Sequence, residues 1–138
     1  MADDVLLNKA AVIERTLRRV ADEYGGAEER IETDLRRQDA IVLNLQRACQ
    51  AAIDGAMALV RRHGLGLPQE SREAFVLLER AGLLDGDLSE RLKAMVGFRN
   101  VAVHDYKKLS VPILRSILDH HLDDLRRFAR LLVERACD

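Results

Sequence analysis

Cysteine, proline and aromatic residues are scarce in this chain of 138 residues. It has two cysteines, two prolines and no tryptophan, and aromatic side chains make up 4% of the sequence. Cys49 and Cys137 lie far apart and form no CxxC pair, so we expect reduced structural thiols rather than a disulfide framework or a zinc site. No HExxH or HxxEH spacing points to a metalloenzyme either.

Long apolar runs and a predominant charge are absent as well. No run approaches the roughly 18 apolar residues of a membrane-spanning helix, and 22 basic residues against 23 acidic ones give a net charge of −1. The first ten residues, MADDVLLNKA, carry two aspartates where a secretory signal would carry basic residues. We therefore expect a soluble, cytoplasmic protein whose contact with any nucleic acid is local.

Helical periodicity extends along nearly the whole sequence, and no segment shows sustained strand alternation. The length is that of a single domain, residues 1–138. Breaks at Gly25-Gly26, GLGLPQ and LLDGD, together with a further helix start at Ser110 and Pro112, divide the chain into five helical segments, and the last one runs about six turns. We predict an all-α, up-and-down bundle of four main helices plus a shorter fifth. Its apolar stripes can serve the core, a dimer face, or both.

Chemically useful side chains are concentrated in GFRNVAVHDYKK, residues 97–108. Arg99 and His104 are five residues apart, so on one regular helix their side chains diverge by about 140°. Two geometries would bring them to one substrate. Either the helix ends before His104 and the imidazole swings back, or a second copy of the chain contributes its own pair across a two-fold axis.

An arginine and a histidine together suit the cleavage of RNA phosphodiesters. Histidine exchanges a proton near neutral pH, and a guanidinium group neutralises charge on phosphate oxygens. Asn100 can orient the imidazole or the phosphate, and Lys107 and Lys108 provide a basic step for an adjacent phosphate. This chemistry needs no metal ion and no cofactor.

The segment MVGFRNVAVHDY resembles the R-x4-H-x-Y signature of the HepT family of HEPN-domain toxins, and the resemblance covers nearly the whole chain. It implies a HEPN-type bundle that forms a two-fold homodimer and acts as a metal-independent endoribonuclease. Arg99 and His104 match the catalytic pair, and Asn100 matches the polar residue that often follows the arginine. The family also implies a structured substrate, with tRNA the first expectation.

Tyr106 occupies the tyrosine position of the same signature. In HepT-like proteins a minimal nucleotidyltransferase, MntA, silences the toxin by transferring AMP to this tyrosine. An AMP phosphate two residues from His104 would add negative charge and bulk where an RNA phosphate must dock. The resemblance therefore implies a toxin–antitoxin pair in which Tyr106 is the modified residue.

Other polar clusters have simpler interpretations. In DHHLDD, residues 119–124, His120 and Asp124 are one helical turn apart, a spacing that can bind a divalent metal, but a solvated face or a polar contact near a dimer cleft is favoured. The sequence assigns no role to His121. Arg36 and Arg37 are solvated, or are reserve candidates for RNA binding. The alternative function is a non-catalytic helical module that docks on a nucleotidyltransferase.

Overall fold

Six α-helices make up most of the computed structural model, which describes residues 2–106 and 109–138. They are α1 (Asp4–Tyr24), α2 (Leu35–Arg62), α3 (Ser71–Arg80), α4 (Gly86–His104), α5 (Val111–His120) and α6 (Leu122–Ala136), with a 3-10 turn at Glu28–Arg30. The described residues contain no β-strand, so the all-α prediction is confirmed. None of the described helices is both long enough and apolar enough to cross a membrane.

Short polar side chains cap the start of four of these helices, and Asp34 is the cap of α2. The Asp3 carboxylate accepts hydrogen bonds from the first backbone N–H groups of α1, and Ser110 caps α5 in the same way. Asp85 caps α4 by accepting from the backbone N–H of Leu88 at 2.8 Å. Helix α4 therefore begins inside the break predicted at LLDGD, at Gly86, because Asp85 is available there as a cap.

The last predicted helix is two helices, so the count of five is not confirmed. His121 has φ −122° and ψ −2°, outside helical geometry, and separates α5 from α6. Its Nδ1 lies 3.4 Å from the carboxylate of Asp124, which is 5% exposed and also within 3.7 Å of the Arg91 guanidinium. These polar contacts at the start of α6 hold a nearly buried carboxylate.

Helix α2 is the centre of the molecule and contacts α1, α3, α4 and α6. Its small residues allow neighbouring helices to approach closely. At Gly55 an added Cβ atom would lie 2.6 Å from a methyl carbon of Leu132 on α6, and Leu132 is fully buried. The pair fixes the distance between α2 and α6.

We expect Gly55→Ala to lower the free energy of unfolding by about 1 to 2 kcal/mol, because overpacking outweighs the gain in helix propensity. Leu132→Ala should cost about 2 to 5 kcal/mol by itself. The double variant should cost less than the sum by about 1 kcal/mol, since the alanine methyl then fills vacated space. Denaturant titration of the four proteins measures this coupling.

Gly86→Ala is the matched control for that experiment. Gly86 is also a helical glycine, but a Cβ atom there would meet nothing closer than the Glu79 carboxylate, at 3.5 Å. Its substitution should leave stability unchanged or raise it. Strict additivity of Gly55→Ala and Leu132→Ala would contradict the close contact.

Candidate active site

Helix α4 carries the Arg99 and His104 side chains and ends directly after the second. His104 is its last helical residue, and the backbone N–H of Asp105 still donates to the Val101 carbonyl at 2.9 Å. Asp105 itself has φ −154° and ψ 68° and stops the helix. Of the two geometries proposed from the sequence, a helix ending before His104 is not observed. The two side chains keep the divergence of about 140° that one helix imposes.

Arg99 is half-buried, and part of its guanidinium group has no partner. Nη1 donates to the side-chain oxygen of Asn100 at 3.0 Å, whereas Nε is buried without a hydrogen bond to any described residue. No described carboxylate forms an ion pair with this arginine. A buried donor without an acceptor is costly, and a phosphate oxygen is the acceptor for which a guanidinium is best suited.

Cys49 of α2 lies close enough to Arg99 for the positive charge of the guanidinium group to affect the pKa of its thiol. Burial raises the pKa of the Cys49 thiol to about 12, although the charge of the neighbouring Arg99 guanidinium acts to lower it. Because the thiol stays protonated near neutral pH, it is not a nucleophile. Both cysteines are free, as the sequence predicted, with Cys49 buried and Cys137 exposed.

His104 is exposed at the end of α4, and Asn100 lies one helical turn before it, on the same face. Asn100 thus contacts the Arg99 guanidinium and shares a face with the imidazole. The structure brings Arg99 and Asn100 together, but no hydrogen bond connects either of them to His104. A single chain therefore presents the arginine and the histidine on different faces.

Tyr106 follows the helix end, and α2 holds its hydroxyl group. The phenol donates to the carboxylate of Asp39 at 2.5 Å, across 67 residues of sequence. Burial, together with the hydrogen bond and negative charge of Asp39, raises the pKa of Tyr106 to about 12. The tyrosine nevertheless remains 40% exposed. Sequence reasoning missed Asp39, since nothing in the sequence pairs it with a residue so far along the chain.

Arg99 and Tyr106 both face α2, at different positions along the axis of that helix. Ten residues separate Asp39 from Cys49, which is about 15 Å along the axis of α2. The end of α4 thus runs along the N-terminal half of α2, with the arginine near Cys49 and the tyrosine near Asp39. This packing fixes the candidate site to the core helix.

The reserve candidates for RNA binding differ from each other. Arg37 donates to the backbone carbonyl of Glu23 at 2.6 Å and forms ion pairs with the carboxylates of Glu23 and Asp34, both at 3.4 Å. It joins the end of α1 to the start of α2. Arg36 is exposed. Lys107 and Lys108 lie outside the described residues.

The histidines of the last two helices form no metal site in the part of the chain that the structure describes. His121, rather than His120, contacts Asp124, and the His120 ring lies edge-on to the His121 ring with centroids 6.4 Å apart. No group of three potential ligands among the described His, Cys, Asp and Glu residues could hold a metal ion. The Asp124 contact therefore belongs to the junction of α5 and α6.

An apolar groove opens between α4 and α5, on the helix that carries Arg99 and His104. Its volume is about 750 Å³, and its lining includes Met95, Phe98, Val101, Ile113 and Ile117. Val101 is 39% exposed and Ile113 is 55% exposed. The sequence could not separate this face from the core, because the same apolar spacing serves both.

The comparisons with known proteins agree on one family. The Ribonuclease HepT-like family model matches residues 13–132. The mRNA nuclease HepT of Shewanella oneidensis is 43% identical over 126 residues, which cover 91% of this chain and 94% of that relative.

Solved structures of HEPN toxins have the same fold. The structure of a tri-AMPylated Shewanella oneidensis HEPN toxin in complex with MNT antitoxin matches with a TM-score of 0.89 and 42% identity, over 94% of this chain and 97% of that one. A toxin–antitoxin structure with AMP-PNP matches with a TM-score of 0.89 and 41% identity, over 94% of this chain and 98% of that one. The chain belongs to the HepT-like ribonuclease family.

Proposed function

We propose that this protein is the toxin of a toxin–antitoxin pair and a metal-independent endoribonuclease, folded as one domain over residues 1–138 and acting in the cytoplasm. The observation that carries the proposal is the half-buried Arg99, whose Nε lacks a partner, on the same helix as the exposed His104. Membership of a ribonuclease family supports it. A non-catalytic module that docks on a nucleotidyltransferase would need neither an arginine with an unpaired Nε nor an exposed histidine on the same helix.

The proposed cleavage uses the ribose of the substrate as its nucleophile. His104 takes the proton from the 2′-hydroxyl, O2′ attacks the adjacent phosphorus, and the bond from phosphorus to the 5′ oxygen breaks. Arg99 neutralises the charge that builds on the phosphate oxygens. A second histidine or water protonates the leaving oxygen. The products carry a 2′,3′-cyclic phosphate and a 5′-hydroxyl group.

Two copies of the chain complete the site in this proposal. Because α4 remains helical through His104, one chain holds Arg99 and His104 on different faces. A two-fold axis beside α4 would bring two such pairs into one cleft and supply one histidine as base and another as acid. The apolar groove between α4 and α5 supports a partner at this face, since it exposes Val101 and Ile113 to solvent in the single chain.

Charge and kinship favour different classes of RNA substrate. The balanced charge of the chain favours a structured target such as tRNA over indiscriminate binding, whereas the Shewanella relative is named an mRNA nuclease. Arg36 is exposed near the start of α2 and is the better of the two reserve arginines, because Arg37 is engaged by Glu23 and Asp34. Parallel assays on tRNA and mRNA decide the class.

Adenylylation of Tyr106 by a nucleotidyltransferase partner is the proposed means of silencing the toxin. A related toxin has been solved in its AMPylated form with its antitoxin. Tyr106 is suited to modification because it is exposed and lies two residues beyond His104. An AMP group there would repel an incoming RNA phosphate and block it sterically.

We expect Tyr106→Phe to remain an active nuclease that its partner cannot modify. The hydroxyl that would accept AMP is gone, whereas Arg99 and His104 are untouched. Intact mass and peptide mapping after co-expression with the nucleotidyltransferase should show no AMP on residues 99–108, and cells should stop growing even when the partner is present.

Tyr24→Phe is the matched control for this experiment. Tyr24 is the other tyrosine, and its hydroxyl also donates to an aspartate, Asp119, at 2.8 Å. This variant should be modified and silenced like the wild type. AMP addition to Tyr106→Phe at the wild-type stoichiometry would show that another residue is the acceptor.

A further inference from the structure

The Tyr106 hydroxyl has a carboxylate partner from another helix at a place open to solvent. Asp39, in the second turn of α2, accepts its hydrogen bond at 2.5 Å, and both residues are exposed. Solvent-exposed side chains gain little from such a bond alone, because water competes for the same groups. The contact also holds the segment after α4 against α2.

We propose that Asp39 positions the Tyr106 hydroxyl for nucleotide transfer and accepts its proton as the new bond forms. The inference rests on the proposed function, in which Tyr106 is the AMP acceptor. It adds a residue of the toxin itself to the machinery that silences the toxin.

The transfer step balances with a nucleoside triphosphate as co-reactant. The Tyr106 Oη attacks the α-phosphorus, the bond between that phosphorus and the oxygen bridging to the β-phosphate breaks, and pyrophosphate leaves with the electron pair. The phenolic proton passes to the Asp39 carboxylate and then to solvent. Nothing is oxidised or reduced.

The chemistry of the phenol explains why a proton acceptor is needed. Burial and the Asp39 contact raise the pKa of Tyr106 to about 12, so near neutral pH only about one molecule in 100,000 carries a free phenolate. The proton must therefore leave while the oxygen–phosphorus bond forms, and a positioned general base does this. Since the hydroxyl hydrogen already points to Asp39, the oxygen lone pairs remain available to the phosphorus.

Asp39 also affects the position of Tyr106 after it has been adenylylated. An adenylylated Oη has no hydrogen left to donate, and its phosphodiester places a negative charge beside the carboxylate of Asp39. Like-charge repulsion disfavours the original contact, so the modified side chain moves away from α2.

The test is the kinetics of AMP addition to Asp39→Asn by the nucleotidyltransferase partner at saturating ATP. The amide keeps an oxygen acceptor of the same shape but is a far weaker base. We expect kcat for modification of Tyr106 to fall by about 100-fold, with KM for the toxin changed less than about 3-fold. Asp39→Glu should recover part of the rate, and thermal melting should show that both variants are folded.

Asp119→Asn is the matched control, because it changes the carboxylate that holds Tyr24; it should be modified at the wild-type rate. A wild-type or faster rate for Asp39→Asn would overturn the inference, as would a rise in KM with unchanged kcat, which would make Asp39 only a docking contact. If the wild-type chain receives no AMP on Tyr106, the proposed silencing fails and the inference falls with it. If Tyr106 is modified normally in the wild type, a failure at Asp39 overturns the inference alone.

Discussion

Replacing His104 with alanine should lower RNA cleavage by about 100-fold or more, the range in which a positioned general acid–base group contributes. The folded state should be hardly affected, because the side chain is exposed at the last position of α4 and hydrogen-bonds to no described residue. Steady-state cleavage of a labelled RNA by the purified, unmodified protein measures the loss. Thermal melting measures the stability.

His63→Ala is the matched control for His104→Ala. His63 is also an exposed histidine at the C-terminal end of a helix, α2, and it lies outside the candidate site. Its substitution should leave cleavage within about 2-fold of the wild type, since single surface substitutions rarely reach further. An active His104→Ala protein would remove the histidine from the mechanism.

Replacing Arg99 with alanine should reduce kcat/KM by about 100-fold or more, the magnitude associated with a preorganised group that stabilises developing charge. RNA binding should weaken as well, because the guanidinium meets the phosphate before the reaction. Arg99→Lys should recover part of the activity, since it restores the charge but not the planar fork of donors.

The stability of Arg99→Ala shows whether a loss of activity comes from the missing catalytic group or from a folding defect. Nε is buried without a partner and no described carboxylate pairs with this arginine, so its removal should change the melting temperature little or raise it. Arg61→Ala, at an exposed arginine in the last turn of α2, is the control for general loss of positive charge. Equal losses in the two variants would show that Arg99 acts only through bulk electrostatics.

Local patterns predicted the helices well because each depends on neighbours in sequence. The caps at Asp3 and Ser110 and the stop at Gly25-Gly26 could be read from single residues. The break at His121 could not, because the apolar stripe continues through it. There the backbone follows contacts among His121, Asp124 and Arg91, which join different helices.

The candidate site was predictable only in part for a similar reason. The motif gave Arg99, Asn100, His104 and Tyr106, since all four lie within eight residues of one another. Asp39 became visible only when packing brought α2 against the end of α4. The apolar groove depends on how far α5 stands from α4, which the apolar spacing of each helix does not determine.

The chemical ends of the cleavage products test the central claim most directly. The purified, unmodified protein should cut RNA in the presence of EDTA and leave a 2′,3′-cyclic phosphate on one fragment and a 5′-hydroxyl on the other, as attack by the ribose 2′-hydroxyl requires. Mass spectrometry of the fragments identifies both ends. Cleavage that needs a divalent metal and leaves a 5′-phosphate, or no cleavage of either tRNA or mRNA, would contradict the assignment of Arg99 and His104.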